Sequence, residues 1–300
     1  MLSLDKTQLR GSIPPLVTPF KNGEVDYKAY ARLIEFHIGK SHGVLVNGTT
    51  SEPSSLTVEE RNRLVDVAVE AAAGRVTVVA ATGSQSYAET EALTRHAAKQ
   101  KGVDALLIVT PYYSRPPQRG LVEYYKQLNA FHTKPWMIYH IPGRAAVDVK
   151  IETVKEIDKL CPTFCGMKHA SQDLAFVSDL FAEVHEDMRV FVGLEELSFP
   201  MMAVGACGLM NAVGNLNPKP LSEMCEAVWA GDLFKARALH RALFEINKAV
   251  FYDINPIPMK YMMKRLGIMP ANEHRLPLLP ATPELEKRLD AVLARAGMMT

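Results

Sequence analysis

Three hundred residues, 48% apolar and 22% charged, suit one α/β barrel or two smaller domains with ample core. A formal charge of +1 argues against nucleic acid or an anionic membrane as partner, the nine histidines adding charge only at lower pH. Met1-Leu2-Ser3-Leu4-Asp5-Lys6 lacks the apolar core of a signal peptide, and the most apolar stretch, 201–214, is too short and glycine-broken to span a bilayer. Cysteines 161, 165, 207 and 225 show neither disulfide-framework nor zinc-site spacing. Free thiols and a cytoplasmic location are the expectation.

In chain order, short β-rich runs fall at 12–18, 43–48, 76–83, 104–112, 136–142, 164–170, 189–195 and 207–214. Between most of them lie stretches with apolar residues at three- and four-residue steps, such as 27–40, 58–73, 88–101 and 121–132. Thr57-Val58-Glu59-Glu60 reads as a capping box, and Gly74 and Gly102 stand where helix C-caps are wanted. Eight alternating β and α units with apolar strands predict a (β/α)8 barrel. An open doubly wound sheet is disfavoured because no G-x-G-x-x-G follows the first strand. Residues 1–231 are then the barrel domain. Residues 232–300 form a helical extension packed on it, with helices over 232–251, 256–266 and 283–296.

Barrel active sites lie at the C-terminal ends of the strands, which makes Lys168 informative. It sits near the end of the sixth run, Phe164-Cys165-Gly166-Met167-Lys168-His169-Ala170. Lysine is almost never fully buried without a partner or a task. An unprotonated amine attacks a ketone to form a Schiff base, and at an ordinary lysine pKa only about one amine in 2,500 is free at pH 7. Taken alone, a lysine snorkelling from a strand end is the commoner case. Alternation sets Gly166, Lys168 and Ala170 on one face and Met167 and His169 on the other.

Three more strand ends carry chemistry. Asn47-Gly48-Thr49-Thr50-Ser51-Glu52 offers hydroxyls and main-chain N–H groups able to grip a carboxylate, though polar loops before helices are common. Thr110-Pro111-Tyr112-Tyr113-Ser114-Arg115-Pro116-Pro117 holds two tyrosines between prolines, equally consistent with ordinary surface aromatic packing. Tyr139-His140-Ile141-Pro142-Gly143-Arg144 closes the fifth run. There Tyr139 can face the interior beside Lys168, and Arg144 could bind a carboxylate or simply be solvated.

In order and spacing across nearly the whole chain, these segments resemble the pyruvate-dependent lyase family that contains dihydrodipicolinate synthase and N-acetylneuraminate lyase. Asn255-Pro256-Ile257-Pro258 looks like a further landmark of that family. The resemblance, nearest to the dihydrodipicolinate synthase-like members, implies that Lys168 forms an imine with pyruvate or a related 2-oxo acid. Thr49 and Thr50 would hold its carboxylate. Tyr139 would move protons, relayed through Thr49 to Tyr113 from a neighbouring subunit. Arg144 would bind the second substrate's carboxylate, and Gly193 and Met210 complete the implied substrate-binding set. It implies a homotetramer built as a dimer of dimers, with no metal or organic cofactor. Family members often have glycine at position 51, asparagine at 140 and an acidic residue at 169, so the second substrate stays open. Aspartate semialdehyde and the 2-keto-3-deoxy sugar acids are the candidates, and a non-catalytic 2-oxo acid sensor is the reading from another class. Val58 and Arg61 stand where lysine-inhibited synthases carry ligand-making polar side chains, so tight lysine inhibition is not expected.

Overall fold

The computed structural model describes residues 4, 5 and 7–299. Of the N-terminal segment 1–6, residues 1–3 and 6 lie outside the described residues. Eight parallel strands run in the order β1 (Gly11–Ser12), β8 (Gly208–Leu209), β7 (Arg189–Val192), β6 (Phe164–His169), β5 (Trp136–His140), β4 (Ala105–Val109), β3 (Thr77–Ala81) and β2 (Gly43–Val46). A parallel bridge between Pro15 and Leu45, with Leu16 N–H donating to Leu45 O at 3.0 Å, joins β1 to β2 and closes the barrel. The (β/α)8 reading is correct.

The first and last strands are shorter than their apolar runs. Pro14 and Pro15 lack the N–H groups a ladder requires, so pairing after β1 thins to that bridge. Beyond β8 the chain turns into a 3-10 segment, Ala212–Asn215. There the Glu195 carboxylate takes the N–H groups of Ala212 and Val213 that a strand would have given to its neighbour.

The strand pleat sorts apolar side chains into two cores. Ile13, Leu45, Val79, Leu107, Met137, Phe191 and Met210 fill the barrel interior with Tyr139 and Ala170. Val44, Val78, Leu106, Ile138, Met167 and Val190 face outward under the helices. Met167 falls outside and Ala170 inside, as alternation requires.

Thr57 caps the helix Val58–Ala72 in a complete capping box with Glu60. Of the two glycines expected at helix ends, Gly74 stands there, at φ 74, and Gly102 is corrected. Ala73, at φ 46, and Gly74 after it together turn the chain out of the Val58–Ala72 helix. The helix Tyr87–Lys99 ends at extended Gln100, and Gly102 serves packing: a Cβ there would lie 2.6 Å from Val69 Cγ1. Past the barrel, the single helix expected over 232–251 divides into Leu233–Ala242 and Phe244–Ala249. The other two form as Ile257–Arg265 and Pro283–Arg295. Among the described residues no helix is long and apolar enough to cross a membrane.

Candidate active site

Main-chain register places Tyr139 of β5 directly beside Lys168 of β6. Lys168 is 3% exposed, and its Nζ lies 4.3 Å from the centroid of the Tyr139 ring. The amine makes no hydrogen bond to another described residue. Two glycines shape its surroundings. A Cβ on Gly166 would lie 2.0 Å from the Arg189 carbonyl oxygen, so only glycine lets β6 and β7 approach there. A Cβ on Gly193 would lie 2.7 Å from the Ala170 Cβ and 3.1 Å from Lys168 Cε, so this glycine leaves the lysine stem its space. Met210 is buried in the same interior layer.

The Tyr139 hydroxyl lies 3.2 Å from Thr49 Oγ1, linking β5 to the loop after β2. That loop is bracketed by two non-glycine residues in the left-handed region, Asn47 and Glu52, both at φ 58. For glutamate this conformation is strained by about 1–2 kcal/mol and persists only under strong external constraint. The constraint is visible. Glu52 is buried, with Oε1 accepting from Lys260 Nζ at 2.6 Å and Oε2 lying 3.2 Å from His274 Nδ1. Lys260 is itself fully buried and also donates to the Glu273 carbonyl at 2.6 Å. Asn255 Nδ2 donates to Thr50 Oγ1 at 2.9 Å, and Ser51 Oγ donates to the Leu16 carbonyl at 2.6 Å. The main-chain N–H groups of Thr49 and Thr50 make no hydrogen bond within the described residues, leaving two donors for an anion.

Thr49, Tyr139 and Arg144, together with Arg61, Glu89 and Tyr112, line one cavity of about 530 Å³. Arg144 is exposed, on the short helix Pro142–Ala145. Lys168 is not itself a wall residue of this cavity; its amine packs against the Tyr139 ring. Tyr113 is 89% exposed at φ 72 and is absent from its own chain's cavity wall, so the structure does not bring it to Tyr139 within one chain. Among the described residues no cluster of three or more His, Cys, Asp or Glu side chains is arranged to hold a metal.

A model of the dihydrodipicolinate synthetase family matches residues 8–296. The chain belongs to this family. The 4-hydroxy-tetrahydrodipicolinate synthase of Thermus thermophilus is 44% identical over 292 residues, 97% of each chain. The crystal structure of the Aquifex aeolicus dihydrodipicolinate synthase superposes with a TM-score of 0.94 at 38% identity, covering 97% of this chain and 99% of that one. The chloride-inhibited Acinetobacter baumannii synthase, complexed with pyruvate, superposes at 0.93 with 33% identity, covering 97% and 100%. Like its relatives, the chain is an enzyme of the lyase class, dihydrodipicolinate synthase-like.

Several residues at this family site carry little local signal in the sequence. Glu195, beyond β7, is buried, and burial lifts its carboxyl to about 7 against the pull of main-chain N–H donors and Lys168. Its Oε1 accepts from Ala212 N–H at 2.6 Å and Val213 N–H at 3.3 Å, while Oε2 has no partner. Lys260 and His274 are 208 and 222 residues from Glu52. Ordinary charge patterning reads such residues as solvated, so only the fold reveals the network.

Proposed function

We propose that the chain condenses pyruvate with a carboxylate-bearing aldehyde, aspartate semialdehyde first, through an imine on Lys168. The observation that carries this reading is the contact of the Lys168 amine with Tyr139, whose hydroxyl continues to Thr49. The pyruvate complex of the related A. baumannii enzyme supports the choice of 2-oxo acid.

In this reading the unprotonated amine adds to the ketone carbon, and Tyr139 delivers a proton to the carbinolamine hydroxyl as it leaves as water. The free N–H groups and hydroxyls of Thr49 and Thr50 hold the pyruvate carboxylate. The Tyr139 phenolate takes a methyl proton to give an enamine, whose carbon attacks the aldehyde as that proton passes to the new alkoxide oxygen. Arg144 binds the carboxylate of the incoming substrate, and Gly193 and Met210 shape the pocket floor. Tyr113 of a neighbouring subunit completes the proton path from Thr49, which requires at least a pair of subunits within the homotetramer. Residues 1–231 carry the chemistry and 232–300 brace it, in the cytoplasm, with neither metal nor organic cofactor.

Borohydride reduction in the presence of pyruvate, followed by peptide mass spectrometry, is expected to fix the pyruvate mass on the Lys168 peptide. Bound pyruvate with an unmodified Lys168 would instead establish a sensor. Turnover of aspartate semialdehyde against a panel of 2-keto-3-deoxy sugar acids then selects between synthase and sugar-acid aldolase or dehydratase.

A further inference from the structure

His140 and His169 each follow a residue central to the proposed chemistry, and main-chain register sets them side by side on the outer face of β5 and β6. Both are buried, at 2% and 0% exposure. Their Nδ1 atoms are 3.1 Å apart. His140 Nε2 lies 2.7 Å from Asp148 Oδ1, and His169 Nε2 lies 3.1 Å from the Asp173 carbonyl oxygen. The Phe176 ring stacks on His169 and leans on His140.

Asp148, His140, His169 and the Asp173 carbonyl thus form a line whose two ends are both acceptors. Its three contacts require three protons, and two neutral imidazoles carry only two. Val149 N–H, 3.4 Å from His140 Nε2, is a weak competing donor at the atom facing Asp148. The carboxylates facing the pair are Asp148 and Asp173, and Asp173 Oδ1 already accepts from Phe176 N–H at 3.0 Å. Burial keeps both imidazoles below the ordinary histidine range, His169 down to about 4, partly through His140. At neutral pH one contact in the line is therefore unfilled.

We infer that His140 and His169 are a coupled positioning pair for Tyr139 and Lys168, a proton-deficient link that takes up one proton and so fastens the ends of β5 and β6. A second proton is excluded, since it would set two cations side by side in a buried site. The inference rests on the Schiff-base reading for its catalytic consequence, but its proton count stands apart. Asparagine at 140 would donate an amide N–H to His169 Nδ1, leaving His169 Nε2–H for the Asp173 carbonyl. That arrangement fills both contacts of His169 with no added proton and gives up the one to Asp148.

Two measurements test the pair. Nitrogen-15 NMR of histidine-labelled enzyme is expected to show one proton taken up by the two imidazoles between pH 7 and about 4. His140→Asn should abolish that uptake. In kinetics, His140→Leu is expected to lower kcat about ten-fold with the KM for pyruvate little changed, as a slight misplacement of reacting groups does. His140→Asn should restore most of that loss. Independent protonation of both rings near the ordinary histidine value overturns the inference, as does wild-type kcat in His140→Leu. Borohydride trapping on the wild type reads the imine separately: its failure removes the lyase reading, while the NMR titration still decides the proton count.

Discussion

Two elements meet at the barrel mouth, and they are held in opposite ways. Tyr139 and Lys168 sit on adjacent strands, their spacing set by a main-chain ladder between residues 29 positions apart. The Thr49–Glu52 loop has no such ladder. It is strained at Asn47 and Glu52 and fixed by side chains more than 200 residues away: Asn255, Lys260 and His274. The proposed nucleophile is therefore positioned by local pairing, and the proposed carboxylate grip by the C-terminal extension. Damage to the extension should injure binding and stability, whereas damage on the strands should injure the chemical step.

The largest effect tests the loop side. Lys260→Met leaves the Glu52 carboxylate buried and without its cation, a change expected to destabilise the fold by about 3–5 kcal/mol. Denaturant titration measures it, and adding Glu52→Gln should recover much of the loss by removing the orphaned charge. Equal destabilisation of the single and double variants would show that the pair is not what holds the loop. Tyr139→Phe tests the strand side. Removing the hydroxyl that meets Thr49 should lower kcat by about 10²-fold with little change in unfolding midpoint, since the ring and its contact with Lys168 remain. A smaller effect belongs to Asn255→Ala. The loss of one neutral hydrogen bond to Thr50, about 1 kcal/mol, should raise the KM for pyruvate about five-fold at nearly constant kcat. An equal fall in kcat would place Asn255 in the chemical step and dissolve the contrast between the two elements.

The same contrast explains what the sequence could disclose. Lys168 and Tyr139 were legible because strand alternation and barrel polarity are local, periodic rules: a lysine flanked by Gly166 and Ala170 at a strand end has one direction to face. The loop residues Thr49 and Thr50 could be named from their motif. Their restraint by Lys260 and His274 could not, because nothing in a helix reading Ile257-Pro258-Met259-Lys260 distinguishes a buried lysine from a solvated one. His140 and His169 lie between these cases. Alternation turned them away from the barrel axis, as the structure does, but a period of two is silent on what waits on the outer face. Gly102 was misread as a cap for a related reason, since a glycine after a helix and a glycine under a neighbouring helix look alike until Val69 is placed.

The smallest expected effect is none, and it concerns the Arg61 and Glu89 wall of the cavity. Arg61 there is 3% exposed, its Nη2 donating to the Ala81 and Gly83 carbonyls at 3.3 and 3.1 Å and its Nη1 lying 3.9 Å from Glu89. A free amino acid cation entering beside this wall would compete with the guanidinium for Glu89 and meet like charge across a partly desolvated space, where repulsion is weakly screened. Lysine should therefore leave turnover unchanged at micromolar concentration. Arg61→His would remove most of that fixed charge at pH 8, and any lysine sensitivity in this variant would identify Arg61 as the barrier. Micromolar inhibition of the unaltered enzyme would mean that Arg61 yields its carbonyl partners to the ligand, and that this wall of the cavity is more adaptable than either braced element at the mouth.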